Sequence, residues 1–163
     1  MNYVEESIAI KAGSPKGIGT KALKVFTNLF ELYRGQKLKF CIKHKAEDKN
    51  QPPTYAFEER IVDYMIGGIK YDNIPSLIAH TRAGMQPFRL VRSEGVYLAY
   101  PPLEHAESSK KFPDYSAHQI EPRKEAMEKL SEILKEVSSE DRQIRKKALE
   151  ALKTFEKGQK DNH

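Results

Sequence analysis

The clearest periodicity lies in the last third of the chain. Met127, Leu130, Ile133, Leu134 and Val137 recur at helical spacing, and no glycine interrupts Glu121–Phe155. Pro122, the only proline there, suits the first turn of a helix. Ser138-Ser139-Glu140-Asp141 reads as a break with a new N-cap, and acids stand in the turn that follows. Ile144, Ala148, Leu149, Leu152 and Phe155 form a second stripe. The pattern predicts either a helical hairpin or one long helix over 121–157, with its narrow stripes docked on the domain or paired with another protein chain. The tail at 158–163 is expected to be disordered.

Residues before about 120 mix shorter periods. Gly13–Gly19 is a loop by composition, and Thr20 is placed to cap a short helix through Phe26. A phosphate-cradling P-loop needs Gly-Lys-Ser/Thr at fixed spacing, which Gly19-Thr20-Lys21 does not match. Leu29–Arg34 and Leu38–Ile42 are rich in strand formers and flank Gly35-Gln36, which reads as a hairpin. In the second run Leu38, Phe40 and Ile42 alternate with Lys37, Lys39, Cys41 and Lys43, a half-buried strand with a basic outer face. Ala46–Thr54 is a polar loop, and Tyr55–Ile66 reads as extended. Asn73-Ile74-Pro75 leads into a helix that Gly84 ends. Phe88–Val91 and Val96–Tyr100 are the last short strands. The expected fold is α+β: a small antiparallel sheet flanked by two helices at 10–103, a linker at 104–120 and the C-terminal helices.

Charge sharpens this picture. The 163 residues carry a formal charge of +5. Residues 11–45 hold nine basic side chains against Glu31 alone, a local charge of +8, and the remainder is slightly acidic. An anionic partner is therefore expected at this stretch, the alternative being a solvated basic face. The 39% apolar content supports a modest core, and no apolar run is long enough for a membrane helix. The start, Met1–Glu6, lacks the basic and apolar regions of a secretory signal. A single cysteine excludes a disulfide framework and a multi-cysteine zinc site, and a cytoplasmic location is the expectation.

Catalytic chemistry finds little support. Cys41 sits among lysines, but His44 falls on the opposite face of the strand, so no base accompanies it. Glu104-His105-Ala106-Glu107 has no second histidine at helical spacing. No cofactor and no enzymatic activity are expected.

Binding has a better basis. Ile61-Val62-Asp63-Tyr64-Met65-Ile66, then Gly67-Gly68, then Tyr71–His80 resembles the second half of an SH2 domain, where V-x-H-Y-x-I precedes F-x-S-I-x-x-L-I-x-H. Upstream, Thr20–Asn28 would be the first helix and Phe30–Arg34 would stand where the family has F-L-V-R. The chain differs in carrying Asp63 at the place of the strand histidine, only Gly35-Gln36 after Arg34, and no tryptophan. The resemblance implies a non-enzymatic adaptor that reads phosphotyrosine in a phosphorylated protein or peptide. Arg34 would be the buried bidentate phosphate ligand, since a guanidinium fork matches phosphate oxygens. Lys21, Lys24 and Lys39 would add positive charge, and Lys43 and Tyr64 complete the candidate set.

A second resemblance points to nucleic acid. Gly19–Leu32, followed by Ile61–Met65 and Tyr71-Asp72-Asn73, is similar to the N-terminal domain of Argonaute proteins. It implies a long strand at 21–32 and lysines that contact RNA or DNA phosphates. A basic α+β nucleic-acid module of no named family is a further alternative, because Phe26, Phe30, Tyr33 and Phe40 interleave with lysines as single-strand binders require. Whether 21–28 is helix or strand separates the two resemblances.

Overall fold

The structure, a computed structural model, describes residues 3–5, 15–44, 52–91, 95–103, 119–120 and 124–161. The fold is α+β. In chain order the described elements are β1 (Tyr3–Glu5), α1 (Ile18–Tyr33), β2 (Lys37–His44), β3 (Thr54–Ile61), β4 (Tyr64–Lys70), α2 (Ile74–Arg82), β5 (Gln86–Val91), β6 (Gly95–Tyr100), β7 (Gln119–Ile120), α3 (Lys124–Val137) and α4 (Arg142–Asp161). Five strands form one sheet in the order β1-β4-β6-β5-β7, and β2 and β3 form a separate two-stranded ribbon. The β1–β4 pair is parallel, and the other described pairs are antiparallel.

Helix α1 is longer than expected. It takes in Leu29–Tyr33, which were expected as a strand, so the hairpin of 29–34 with 38–42 does not form. Leu29, Glu31 and Leu32 are good helix formers, and neither glycine nor proline interrupts the run until Gly35. The face that buries Leu23 and Thr27 continues to the half-buried Phe30, so tertiary packing outweighs the strand preference of the aromatics. Gly35, at φ 76°, marks the stop. The helix also starts earlier, with Gly17 rather than Thr20 at the N-cap.

Strand β2 pairs instead with β3, from Lys37↔Ile61 to His44↔Thr54. Its alternation is as the sequence implies: Leu38 and Phe40 are half-buried, whereas Lys37, Lys39 and Cys41 are exposed. Val62-Asp63 divides the extended stretch at 55–66 into β3 and β4. Strand β4 then runs through Gly67-Gly68. A Cβ on Gly68 would meet the Tyr97 ring at 2.8 Å, so the missing side chain is what lets that ring lie across the strand.

Helix α2 has the expected punctuation. The Asn73 side chain accepts from Ser76 N–H at 3.3 Å, Pro75 stands in the first turn, and Gly84 turns the chain at φ 91°. Helices α3 and α4 form a hairpin. Asp141 Oδ1 accepts from the Gln143 and Ile144 amides at 2.7 and 3.2 Å, which starts the second helix. That helix continues through Gly158 to Asp161, past the expected end at 157.

One core unites these parts. Met65 and Ile69 of β4, Leu77 of α2, Leu90 of β5 and Val96 and Leu98 of β6 pack with Leu130, Leu134 and Val137 of α3 and with Leu152 and Phe155 of α4. The C-terminal stripes are therefore consumed by the domain itself. Ile144 is the exception and lies exposed. The opposite face of the sheet has a smaller cluster of Ile66, Phe88, Ala99 and Leu103. Within the segment expected as a linker, Gln119–Ile120 pairs with β5, and 104–118 lies outside the described residues.

Leu152→Ala is expected to destabilise the fold by about 2–5 kcal/mol, through lost burial and an unfilled cavity. Ile144→Ala, four residues from the same core, should change it by less than about 0.5 kcal/mol. Urea denaturation of the two variants checks the contrast.

Candidate functional site

Helices α1 and α2 lie against one another through Leu23, Ala79 and Ala83. Alanines at this contact let the two backbones approach closely. The contact brings the starts of both helices to one cleft of about 630 Å3. Lys16, Gly17 and Gly19 line it from the α1 side, Asn73 and Ser76 from the α2 side, and Arg82 and Arg145 also reach its wall. No side chain caps α1 at Gly17, so the partial positive charge of that helix end faces the cleft region without an internal anion.

Among the described residues, the lining includes three basic side chains, Lys16, Arg82 and Arg145, and no aspartate or glutamate. Both arginines are held in place. Arg82 Nε donates to the Ser138 carbonyl at 2.9 Å, and Arg145 Nε donates to the Ser139 carbonyl at 3.0 Å. Arg145 Nη2 also donates to the Glu140 carbonyl at 3.1 Å. The break between α3 and α4 thereby fixes two guanidinium groups from different helices. His80, buried at the back, has Nδ1 at 2.7 Å from the Ser76 carbonyl. A carbonyl only accepts, so Nδ1 carries the proton.

The residues singled out from the sequence are not gathered at this cleft. Arg34 ends α1, with its amide donating to the Phe30 carbonyl at 2.8 Å. Its Nε lies 3.3 Å from Glu31 Oε2, and the side chain is 43% exposed. It is therefore neither buried nor on a strand, because the run that carries it is helical. Lys21 and Lys24 are exposed on α1. Lys21 and Arg34 are separated by about 20 Å along the helix axis. Lys39 extends over the Phe57 ring, with Nζ 5.0 Å from its centroid. Lys43 is opposite Tyr55 in the ribbon register, and its side chain lies outside the described residues. Tyr64 packs beside the cluster on the far face of the sheet.

The helical state of 21–28 removes the strand that the Argonaute resemblance implies and keeps the first helix of the SH2 resemblance. Among the described residues there is no group of three or more potential metal ligands. Glu104–Glu107 lies outside them. Cys41 is a free, exposed thiol. No described helix is long and apolar enough to cross a membrane.

The cleft was hard to foresee. Lys16 was visible only as part of a glycine-rich loop that matches no P-loop. Arg82 and Arg145 are 63 positions apart in the sequence and carried no motif. The ribbon holds a second surface. Tyr55 and Phe57 are 63% and 68% exposed, and their register partners place Lys37, Lys39 and Cys41 on the same face. Comparison with known proteins gives no match: no family model, no curated protein and no solved structure is significantly similar to the chain.

Arg34 acts locally instead. Burial raises the pKa of the Tyr100 hydroxyl above 10.0, and its hydrogen bond to Glu31 and the Glu31 charge raise it further, while Arg34 opposes them. Arg34→Ala should therefore move Tyr100 ionisation to still higher pH, as read by ultraviolet titration. Tyr71 is raised too, chiefly by burial and then by Glu156. Both phenols are more easily ionised in the unfolded chain. Their contribution to stability is complete below pH 10.0 and is lost as pH rises through the folded values. Denaturation midpoints should accordingly fall above that pH, and Tyr71→Phe should lessen the fall.

Proposed function

We propose that the chain is a non-enzymatic binding module for a phosphate-bearing anion, with a phosphotyrosine peptide as its first ligand, held in the cleft between the starts of α1 and α2. The observation that carries this reading is the lining of that cleft, with Lys16, Arg82 and Arg145 and no acid among the described residues. Arginines held through Nε can offer their remaining N–H groups to phosphate oxygens in a fixed geometry. The SH2 resemblance supports the choice of ligand, since its most specific part, 61–80, includes most of α2, which walls the cleft. The proposed site leaves out Arg34, although the resemblance implies it, because Glu31 already neutralises that charge. The single unbridged thiol, Cys41, suits a reducing, cytoplasmic setting.

Fluorescence anisotropy with matched phosphorylated and unphosphorylated peptides tests the reading. Lys16→Glu and Arg82→Gln are each expected to weaken phosphate-dependent binding about tenfold or more, since a hydrogen bond to a charged group contributes about 1.5–3 kcal/mol. Circular dichroism should stay unchanged in Lys16→Glu, where the substituted side chain is exposed. Arg34→Ala should bind as the parent does. Binding that does not depend on the phosphate defeats the reading, and loss in Arg34→Ala alone returns the anion to the end of α1.

The ribbon supports a second reading, a single-stranded RNA or DNA platform. Exposed Tyr55 and Phe57 beside Lys37 and Lys39 match what stacking and phosphate neutralisation need. Under this reading a gel-shift affinity falls steeply with salt, and Phe57→Ala weakens it.

A further inference from the structure

Helix α1 has two apolar faces, and among the described residues the fold packs on one. Leu23 and Thr27 are buried, and Phe30 packs edge-on against Tyr100, with ring centroids 6.2 Å apart. Ile18, Ala22, Val25, Leu29 and Leu32 follow alternating steps of four and three residues around the other side. That is the spacing of a coiled-coil seam. Val25, Phe26, Leu29, Leu32 and Tyr33 leave between 46% and 66% of their surfaces exposed. A helix that is apolar on both faces normally has a partner on each.

We infer that this face pairs with the same face of a second copy, α1 against α1 in antiparallel orientation about a two-fold axis. The stripe carries no charge at its five positions, so self-association sets no like charges together at its centre. Phe26 and Tyr33 flank one side of the stripe, and Lys21 and Asn28 flank the other. In an antiparallel pair each flank meets its own counterpart. The aromatics of the two copies then share one flank, and their Lys21 and Asn28 side chains share the other. A parallel pair would set Lys21 against Phe26 of the partner.

The area suffices for a specific contact. With Ile18 at 40% included, the exposed apolar side chains offer roughly 500–600 Å2 per chain. The pair then buries about 1,100 Å2, near the lower end of specific interfaces, which suits a reversible dimer. An acidic helix or an anionic lipid surface would be drawn by a basic rim. Only Lys21 borders the stripe directly, and Lys24 lies well round the helix from it.

Sedimentation equilibrium of the full chain tests this between about 1 and 100 μM, the range in which an interface of this size dissociates. The expected result is a species of twice 18.7 kDa that dissociates on dilution. Leu29→Glu with Leu32→Glu should be monomeric throughout, with unchanged circular dichroism, since both side chains are exposed. Val25→Glu, also exposed, should give the same outcome and guards against a folding defect in the double variant. A parent chain that stays monomeric overturns the inference, even if it binds anionic vesicles or an acidic peptide. A dimer that survives both variants overturns it too.

Discussion

Burial of one sheet face under helices from the far end of the chain governs the rest of the structure. Strands β4, β5 and β6 present Ile69, Leu90, Val96 and Leu98 on that face, and α2 covers part of it with Leu77. The remainder is covered by Leu130, Leu134 and Val137 of α3, with Leu152 and Phe155 of α4 behind them. An uncovered sheet face of this kind would not persist in water. The C-terminal helices complete the domain and so are not a free arm.

The same docking shapes the cleft. Where α3 gives way to α4, the carbonyls of Ser138, Ser139 and Glu140 lack helical donors and take theirs from Arg82 and Arg145. What ends one helix thus orients the cations of another part of the molecule. Leu23 against Ala79 and Ala83 sets the spacing of the opposing walls. The ribbon of β2 and β3 stands outside this arrangement, and its outer face keeps its aromatics in solvent.

The legible parts of the fold were those whose signals are local. The stripes of α3 and α4, the cap and stop of α2, and the alternation in β2 could each be read from a few neighbouring residues. The β2 partner could not, because the choice between 29–34 and 54–61 is made by what Leu23, Thr27 and Phe30 pack against. Phe30 and Tyr33 favour a strand while Leu29, Glu31 and Leu32 favour a helix, and burial of the helical face decides between them. The extended stretch was expected over Tyr55–Ile66, whereas β4 runs on through Gly67-Gly68, where Gly68 accommodates the ring of Tyr97. The cleft was the least legible feature. Its cations come from a loop and two helices, and only the tertiary contacts bring them together. Arg34 stood out by resemblance, yet its local charge partner, Glu31, was present three residues earlier.

Arg145 and Lys16 are 129 positions apart in the sequence. The cleft they share closes only after α4 has docked. A chain still being synthesised has α1, α2 and most of the sheet outside the ribosome well before Arg145 emerges. The wall that Arg145 contributes is therefore a late product of folding, and loosening of α4 from the sheet would withdraw that guanidinium while leaving α1 against α2.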